Sequence, residues 1–117
     1  MPLKSDLANW SAGLPETIRD LIDRVLNNGL DTQASVRIAA FEHAAQTTEA
    51  ATLPGELRPW VTKVASHAYK TLDRDVDELK RAGYSDGAIF ELTVATAVGA
   101  GAARYQRGLE ALEEALR

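Results

Sequence analysis

The stretch from Leu57 to Ala68, LRPWVTKVASHA, carries apolar residues at the i, i+3, i+4 spacing of one helical face. These apolar positions are Leu57, Trp60, Val61, Val64, Ala65 and Ala68. Because Pro59 belongs in the first turn of a helix, we expect this helix to start near Leu57. The pattern indicates that one face of this helix packs into a helical core.

Two helices are predicted on the N-terminal side of this stretch. The first contains the apolar repeat of residues 18–26 and stops at Gly29. The second is capped by Asp31 or Thr32 and continues to about Thr47, with a broad apolar side.

Two more helices are predicted on the C-terminal side. One begins between Thr71 and Asp75 and ends at Gly83, which takes the position after the helix that favours glycine. The last begins after its cap, Ser85, and continues to near Arg117. No segment has the alternation of a strand, so the sequence predicts an all-α fold, a compact bundle of about five to six helices.

The length of 117 residues is typical of one domain. We expect residues 1–14 to form an irregular segment, with Trp10 and Leu14 as possible anchors, and residues 15–117 to form a single helical domain. Small helical bundles often complete their core by oligomerising, so a homo-oligomer is expected.

Composition excludes several function classes. The 13 Lys and Arg residues and 17 Asp and Glu residues are interleaved and give a net charge of −4, so nucleic acid is not expected as a partner. The chain contains no cysteine, which excludes thiolate nucleophiles, disulfides and cysteine-based metal sites. The amino terminus lacks the basic patch and apolar run of a secretory signal, so we expect a cytoplasmic protein.

The apolar run from Ala88 to Ala103 is shorter than the roughly 20 residues that cross a bilayer, and it contains Glu91. We therefore expect a central helix packed on several neighbours, and no membrane partner.

Glu56, Lys63 and His67 share one side of a helix, where they would line a pocket with His67 as a proton carrier near neutral pH. The alternative is a solvated stripe at the edge of the core. Asp73 and Asp75 begin an alternation of acids, but the glycine and the final glutamate of a calcium loop are missing. No metal and no cofactor are expected.

The run from Leu79 to Leu92, LKRAGYSDGAIFEL, resembles the "hydrophobic-basic-x-Ala-Gly-x-Ser-x-x-x-Ile-x-Glu" segment of the carboxymuconolactone decarboxylase and alkylhydroperoxidase D (AhpD-like) superfamily. The Ala- and Gly-rich helix that follows is similar too, and the resemblance covers about residues 53–115. It implies a helical bundle that assembles into dimers, trimers or hexamers.

Counting back from Gly83 by the spacing of the peroxidase branch puts Glu56 at the position of the family's glutamate. Ala68 and Thr71 stand at the two cysteine positions, and Asp75 stands at the histidine position. The resemblance therefore implies a degenerate, cysteine-less member. Peroxidase chemistry needs a thiolate and a resolving thiol, so we expect no peroxidase activity even if family membership suggests one.

Three hypotheses follow for the function. The first is binding of a small organic molecule in an interhelical pocket. The second is an acid–base lyase or isomerase of the decarboxylase type, with Glu56 and His67 as the pair and Asp75 as a further candidate. The third is a structural, oligomeric protein. The residues expected to line the pocket are Trp60, Ala68, Tyr69 and Thr71.

Overall fold

The computed structural model describes residues 10–46 and 52–117, and these residues form five α-helices without a β-strand. The helices are α1 (Glu16–Asn27), α2 (Ala34–Ala45), α3 (Arg58–His67), α4 (Asp73–Arg81) and α5 (Asp86–Ala115). Two short 3-10 turns, Gly55–Leu57 and Ala68–Lys70, flank α3. The predicted all-α fold is confirmed for the described part of the chain.

The long helix α5 is central and packs against each of the other four helices. Its small residues permit a close approach of α2. A methyl group built on Gly99 would overlap the carbonyl oxygen of Phe41 and lie 3.0 Å from its Cα. Glycine is therefore required at the crossing of α2 and α5, because any side chain there would push the two helices apart.

Two clusters of buried apolar side chains form the core. The first joins α1, α2 and α5 and includes Ile22, Leu26, Ile38, Phe41 and Ala95. The second joins α2, α3, α4 and α5 and includes Ala40, Trp60, Val61, Leu79 and Leu92. Burying a large apolar side chain contributes about 1.5–3 kcal/mol, so these clusters are the main stabilising contacts of the bundle.

The segment before α1 is anchored as the sequence suggested. The ring of Trp10 meets Phe41 edge-on, with ring centroids 5.9 Å apart, and Leu14 is buried. Gln106 of α5 donates a hydrogen bond to the carbonyl oxygen of Trp10 at 3.0 Å. Residues 1–9 lie outside the described part of the chain, so the expectation of an irregular structure there stays a prediction.

The connection between α1 and α2 is held by a carboxylate of α5. Glu91 accepts hydrogen bonds from the backbone N–H groups of Leu30, Asp31 and Thr32 at 2.7, 2.9 and 3.0 Å. The Thr32 hydroxyl adds a fourth bond at 2.6 Å. The expectation that Asp31 or Thr32 caps α2 is therefore wrong: α2 begins at Ala34 after Gln33, and the Thr32 hydroxyl bonds to Glu91.

A buried guanidinium completes this connection. Arg37 is only 3% exposed, and its Nε donates to the carbonyl oxygen of Leu26 at 3.0 Å. Its Nη1 donates to both the carbonyl and the hydroxyl oxygen of Thr32 and lies 3.9 Å from Glu91. Arg37 thus ties the end of α1 to the start of α2, and its charge is compensated by Glu91.

The turn between α4 and α5 forms as predicted. Gly83 has a φ of 104°, and the N–H of Tyr84 donates to the carbonyl oxygen of Leu79 at 3.1 Å, which closes α4. Ser85 caps α5 by accepting a hydrogen bond from the N–H of Ala88 at 3.0 Å. This geometry brings Tyr84 back over the end of α4.

The end of α3 differs from the expectation. Ala68 continues the apolar spacing of α3 in the sequence, but the helix ends at His67, whose φ of −146° and ψ of 52° lie outside the helical region. Ala68 begins the following 3-10 turn and is exposed. The predicted end of α2 near Thr47 also changes: α2 ends at Ala45, and residues 47–51 lie outside the described part of the chain.

Within residues 10–46 and 52–117, no helix combines the length and the apolar content that crossing a bilayer requires.

Candidate functional site

A cavity of about 240 Å³ lies between α3 and α4. Its lining residues are Glu56, Pro59, Trp60, Asp75, Glu78 and Leu79. Glu56 comes from the 3-10 turn before α3, the next two come from the first turn of α3, and the other three come from α4. Three of the residues expected at the site, Glu56, Trp60 and Asp75, therefore share one cavity.

Trp60 forms an apolar wall of this cavity and is fixed from behind. Its side chain is largely buried, and the indole Nε1 donates a hydrogen bond to the hydroxyl of Thr93 on α5 at 2.8 Å. Thr93 in turn donates to the carbonyl oxygen of Ile89 at 2.6 Å. Because the polar edge of the indole is satisfied by α5, the ring is held in one position at the cavity.

Glu56 is an exposed carboxylate held by a tyrosine that the sequence reasoning missed. The hydroxyl of Tyr84 donates a hydrogen bond to Glu56 Oε1 at 2.7 Å, and this bond lowers the pKa of Glu56. Burial, together with the bond to Glu56, raises the pKa of Tyr84 to about 12. The predicted glycine turn at Gly83 was the available signal, since such a turn folds the next side chain back over the helix.

Asp75 is held from two sides. Lys63 Nζ donates to its two carboxylate oxygens at 2.9 and 3.0 Å, and the backbone N–H of Leu72 donates at 2.8 Å. The bond from Lys63 is the largest cause of a lowered pKa for Asp75. Lys63, expected to share a face with Glu56 and His67, is instead the partner of Asp75.

The other four candidates do not line this cavity. His67 ends α3, and Ala68 and Tyr69 belong to the 3-10 turn that redirects the chain. Tyr69 is 81% exposed, with its ring centroid 6.1 Å from that of His67. The Thr71 hydroxyl donates to the carbonyl oxygen of Ala68 at 2.8 Å, which closes the turn. The chain therefore does not bring His67 together with Glu56.

The chemistry available at the cavity follows from these contacts. Glu56 and Asp75 are both held in the ionised form at neutral pH, because their hydrogen bonds favour the carboxylates. An efficient general base has a pKa near the working pH, and neither carboxylate meets that condition. Trp60, Pro59 and Leu79 supply apolar surface beside the charges. The arrangement suits binding better than proton transfer.

Among the described residues, no group of three or more histidine or acidic side chains is arranged to hold a metal ion. Comparison of the chain with protein-family models, curated proteins and solved structures finds no match.

Proposed function

We propose that this protein binds a small organic molecule in the cavity between α3 and α4. The observation that carries the proposal is the convergence of Glu56, Trp60 and Asp75 on one cavity, although these residues come from three separate turns. Fixed charges beside an apolar wall are the usual composition of a small-molecule site.

Kinship with the AhpD-like superfamily is part of this proposal. It is supported by the motif from Leu79 to Leu92 and by the spacing that leads from Gly83 back to Asp75 and Glu56. In a degenerate member, the ligand pocket is kept while the reactive sulfur atoms are lost. Hydroperoxide reduction needs a thiolate nucleophile, and neither Ala68 nor Thr71 can supply one.

The lining favours particular ligands. Three acidic side chains line the cavity, Glu56, Asp75 and Glu78, and Lys63 compensates the charge of Asp75. This lining repels an anion and attracts a cation or a hydrogen-bond donor, whereas the indole of Trp60 offers a flat apolar surface. We therefore rank small aromatic amines first, neutral lactones and quinones second, and aromatic acids last. This order of affinities distinguishes a specific pocket from non-specific binding to an apolar surface. A non-specific surface would bind the most apolar compound best, whatever the charge of that compound.

The test is a ligand screen with a local reporter. In a Trp10→Phe variant, Trp60 is the only tryptophan, so its fluorescence reports on the cavity alone. A ligand at one hundred times its dissociation constant stabilises the fold by about 2.7 kcal/mol, which a thermal melt detects easily. We expect an aromatic amine to raise the melting temperature and to change the Trp60 emission. Flat melts and unchanged emission across the screen contradict the proposal.

Paired variants identify the charges involved. Glu56→Gln combined with Asp75→Asn removes two of the three acidic groups that line the cavity, so we expect the affinity for the amine to fall at least tenfold. Asp77→Asn is the matched control, because Asp77 is on the same helix but does not line the cavity. Equal affinities in the three proteins would place the ligand elsewhere.

The two alternative functions have less support. The lyase or isomerase hypothesis needs Glu56 and His67 at one cavity, and it needs a base with a pKa nearer to neutral. The purely structural hypothesis expects a filled interior, whereas a cavity of about 240 Å³ lies between α3 and α4.

Assembly into a homo-oligomer is proposed together with this function. It is supported by large apolar side chains exposed on α5, of which Phe90 is 69% and Leu112 is 55% exposed. Analytical ultracentrifugation over a range of concentrations tests it, and a monomer at every concentration rejects it.

A further inference from the structure

A second cavity, of about 120 Å³, lies where α2 and α3 meet α5. Its polar lining residues are His43 and Gln46 near the end of α2, Thr62 and Ser66 on α3, and Arg104 and Arg107 on α5. None of its lining residues belongs to the cavity between α3 and α4. It is therefore a separate feature of the molecule.

The polar side chains that line this cavity can all donate hydrogen bonds. Arg104 and Arg107 are three residues apart on α5 and so lie on the same side of the helix, where like charges repel. Among the described residues, no carboxylate lines the cavity and neither guanidinium forms an ion pair. Two positive charges therefore line a small space where no described carboxylate compensates them, in a protein whose net charge is −4.

One of these guanidinium groups is fixed in position. Arg104 Nη2 donates a hydrogen bond to the carbonyl oxygen of Ala65 at 2.6 Å. Ala65 lies in the last turn of α3, where carbonyl groups lack a partner within the helix. The bond satisfies that carbonyl and holds the guanidinium beside Ser66.

The ends of α2 and α3 oppose an anion, because each helix C-terminus carries about half a negative charge. Two such ends amount to roughly one negative charge against the two full positive charges of the arginines. The N–H of Gln46 bonds to the carbonyl oxygen of His43, and Arg104 bonds to that of Ala65, so both ends are partly satisfied. Glu42, next to His43 in the sequence, is 1% exposed and does not line the cavity. The cavity keeps a positive balance.

We infer that this cavity binds a tetrahedral oxyanion, the phosphate group of a small phosphorylated molecule. Residues that can donate hydrogen bonds line it from three helices: Arg104 and Arg107 from α5, Thr62 and Ser66 from α3, and His43 from α2. Donors on several sides match a tetrahedral anion, whereas a planar carboxylate is satisfied by one bidentate guanidinium. The small volume suits the charged group and leaves the remainder of the ligand in solvent.

The test is a titration of the full chain with inorganic phosphate at constant ionic strength, in which NMR measures the chemical shifts of the backbone amides. We expect saturable shifts at His43, Ser66 and Arg104, and much smaller ones with acetate. Shifts that do not saturate, or equal shifts with acetate, overturn the inference.

Variants make the test specific. Arg107→Gln should weaken phosphate binding at least tenfold, and it is preferred to an Arg104 variant because Arg104 also supports the end of α3. Arg81→Gln, a matched exposed arginine on α4, should leave the affinity unchanged. Thr62→Val provides a second, uncharged change and should also weaken binding. Equal phosphate affinity in Arg107→Gln and in the unmodified chain rejects the site. This result does not depend on whether a ligand binds in the cavity between α3 and α4.

Discussion

Thr32 and Glu91, 59 residues apart, meet at a single carboxylate oxygen. Glu91 Oε1 accepts the Thr32 backbone N–H at 3.0 Å and the Thr32 hydroxyl at 2.6 Å. The other oxygen binds the two preceding N–H groups, so one side chain of the central helix fixes the path between α1 and α2.

Glu91→Gln should lower the free energy of unfolding by about 2–3 kcal/mol, because an amide group cannot accept all four bonds and leaves donors unsatisfied. Urea unfolding at neutral pH measures the change. Glu113→Gln, an exposed change further along α5, should stay within about 0.5 kcal/mol of the unmodified chain. A similar small effect for Glu91→Gln would show that the contact between Glu91 and Thr32 contributes little.

The same carboxylate makes stability depend on pH. Burial raises the pKa of Glu91, but the bonds from the Thr32 hydroxyl and from the three N–H groups outweigh it and leave the pKa below its ordinary value of 4.5. The unfolded chain therefore binds the proton first as the pH falls. The contribution of Glu91 is fully present above about pH 4.5 and is lost as the pH drops through the folded-state pKa.

Free energies of unfolding at a series of pH values, roughly from 7 down to 3, measure this loss of stability around the folded-state pKa of Glu91. In Glu91→Gln the curve should be flatter below pH 4.5 than in the unmodified chain. Parallel curves for the two proteins would assign the acid sensitivity to other carboxylates.

Gly99→Ala should destabilise the bundle by about 1–3 kcal/mol. The added methyl group collides with the backbone of Phe41, and this overpacking outweighs the roughly 1 kcal/mol that alanine gains over glycine in a helix. Thermal and urea unfolding measure the net effect.

Gly101→Ala is the matched control, because a methyl group built at Gly101 meets no described atom within 4 Å apart from its chain neighbours and the nearby backbone of α5 itself. It should stabilise α5 by about 0.5–1 kcal/mol. If both substitutions stabilise the protein, α2 and α5 do not cross as closely as the structure indicates.

Tyr84→Phe should raise the pKa of Glu56 towards its ordinary value of 4.5, because the Tyr84 hydroxyl is the largest cause of the lowering. Side-chain carboxyl signals in a ¹³C NMR titration measure this pKa directly. The Asp75 signal serves as the internal reference, since Lys63 and not Tyr84 holds that carboxylate. A Glu56 titration identical in both proteins would exclude the hydrogen bond in solution.

Features with local causes were predictable. The turn at Gly83 and the cap at Ser85 depend on residues within one or two turns, so their chemistry is visible in the sequence. The start of α2 was predicted wrongly because Thr32 is a good cap by its type, whereas in the structure its hydroxyl donates to the distant Glu91 and accepts from Arg37.

The candidate site was predictable in part. Glu56, Trp60 and Asp75 were expected, and they line one cavity. The spacing of His67 and Glu56 predicts a shared face only if one α-helix continues from Glu56 to His67. In the structure Glu56 lies in the 3-10 turn before α3, and the backbone leaves the helical region at His67. No pattern in the sequence marks that break.

Residue types and local spacing are sufficient to establish that the described chain is helical and that the whole chain has no thiol chemistry, since no cysteine is present. Which side chains meet across the bundle was decided by the packing of the helices. Thr32 with Glu91, Tyr84 with Glu56, and Trp60 with Thr93 come from different elements. The physical reason is that backbone hydrogen bonding acts over a few residues, whereas these contacts depend on how closely the helices cross α5 and where each one ends.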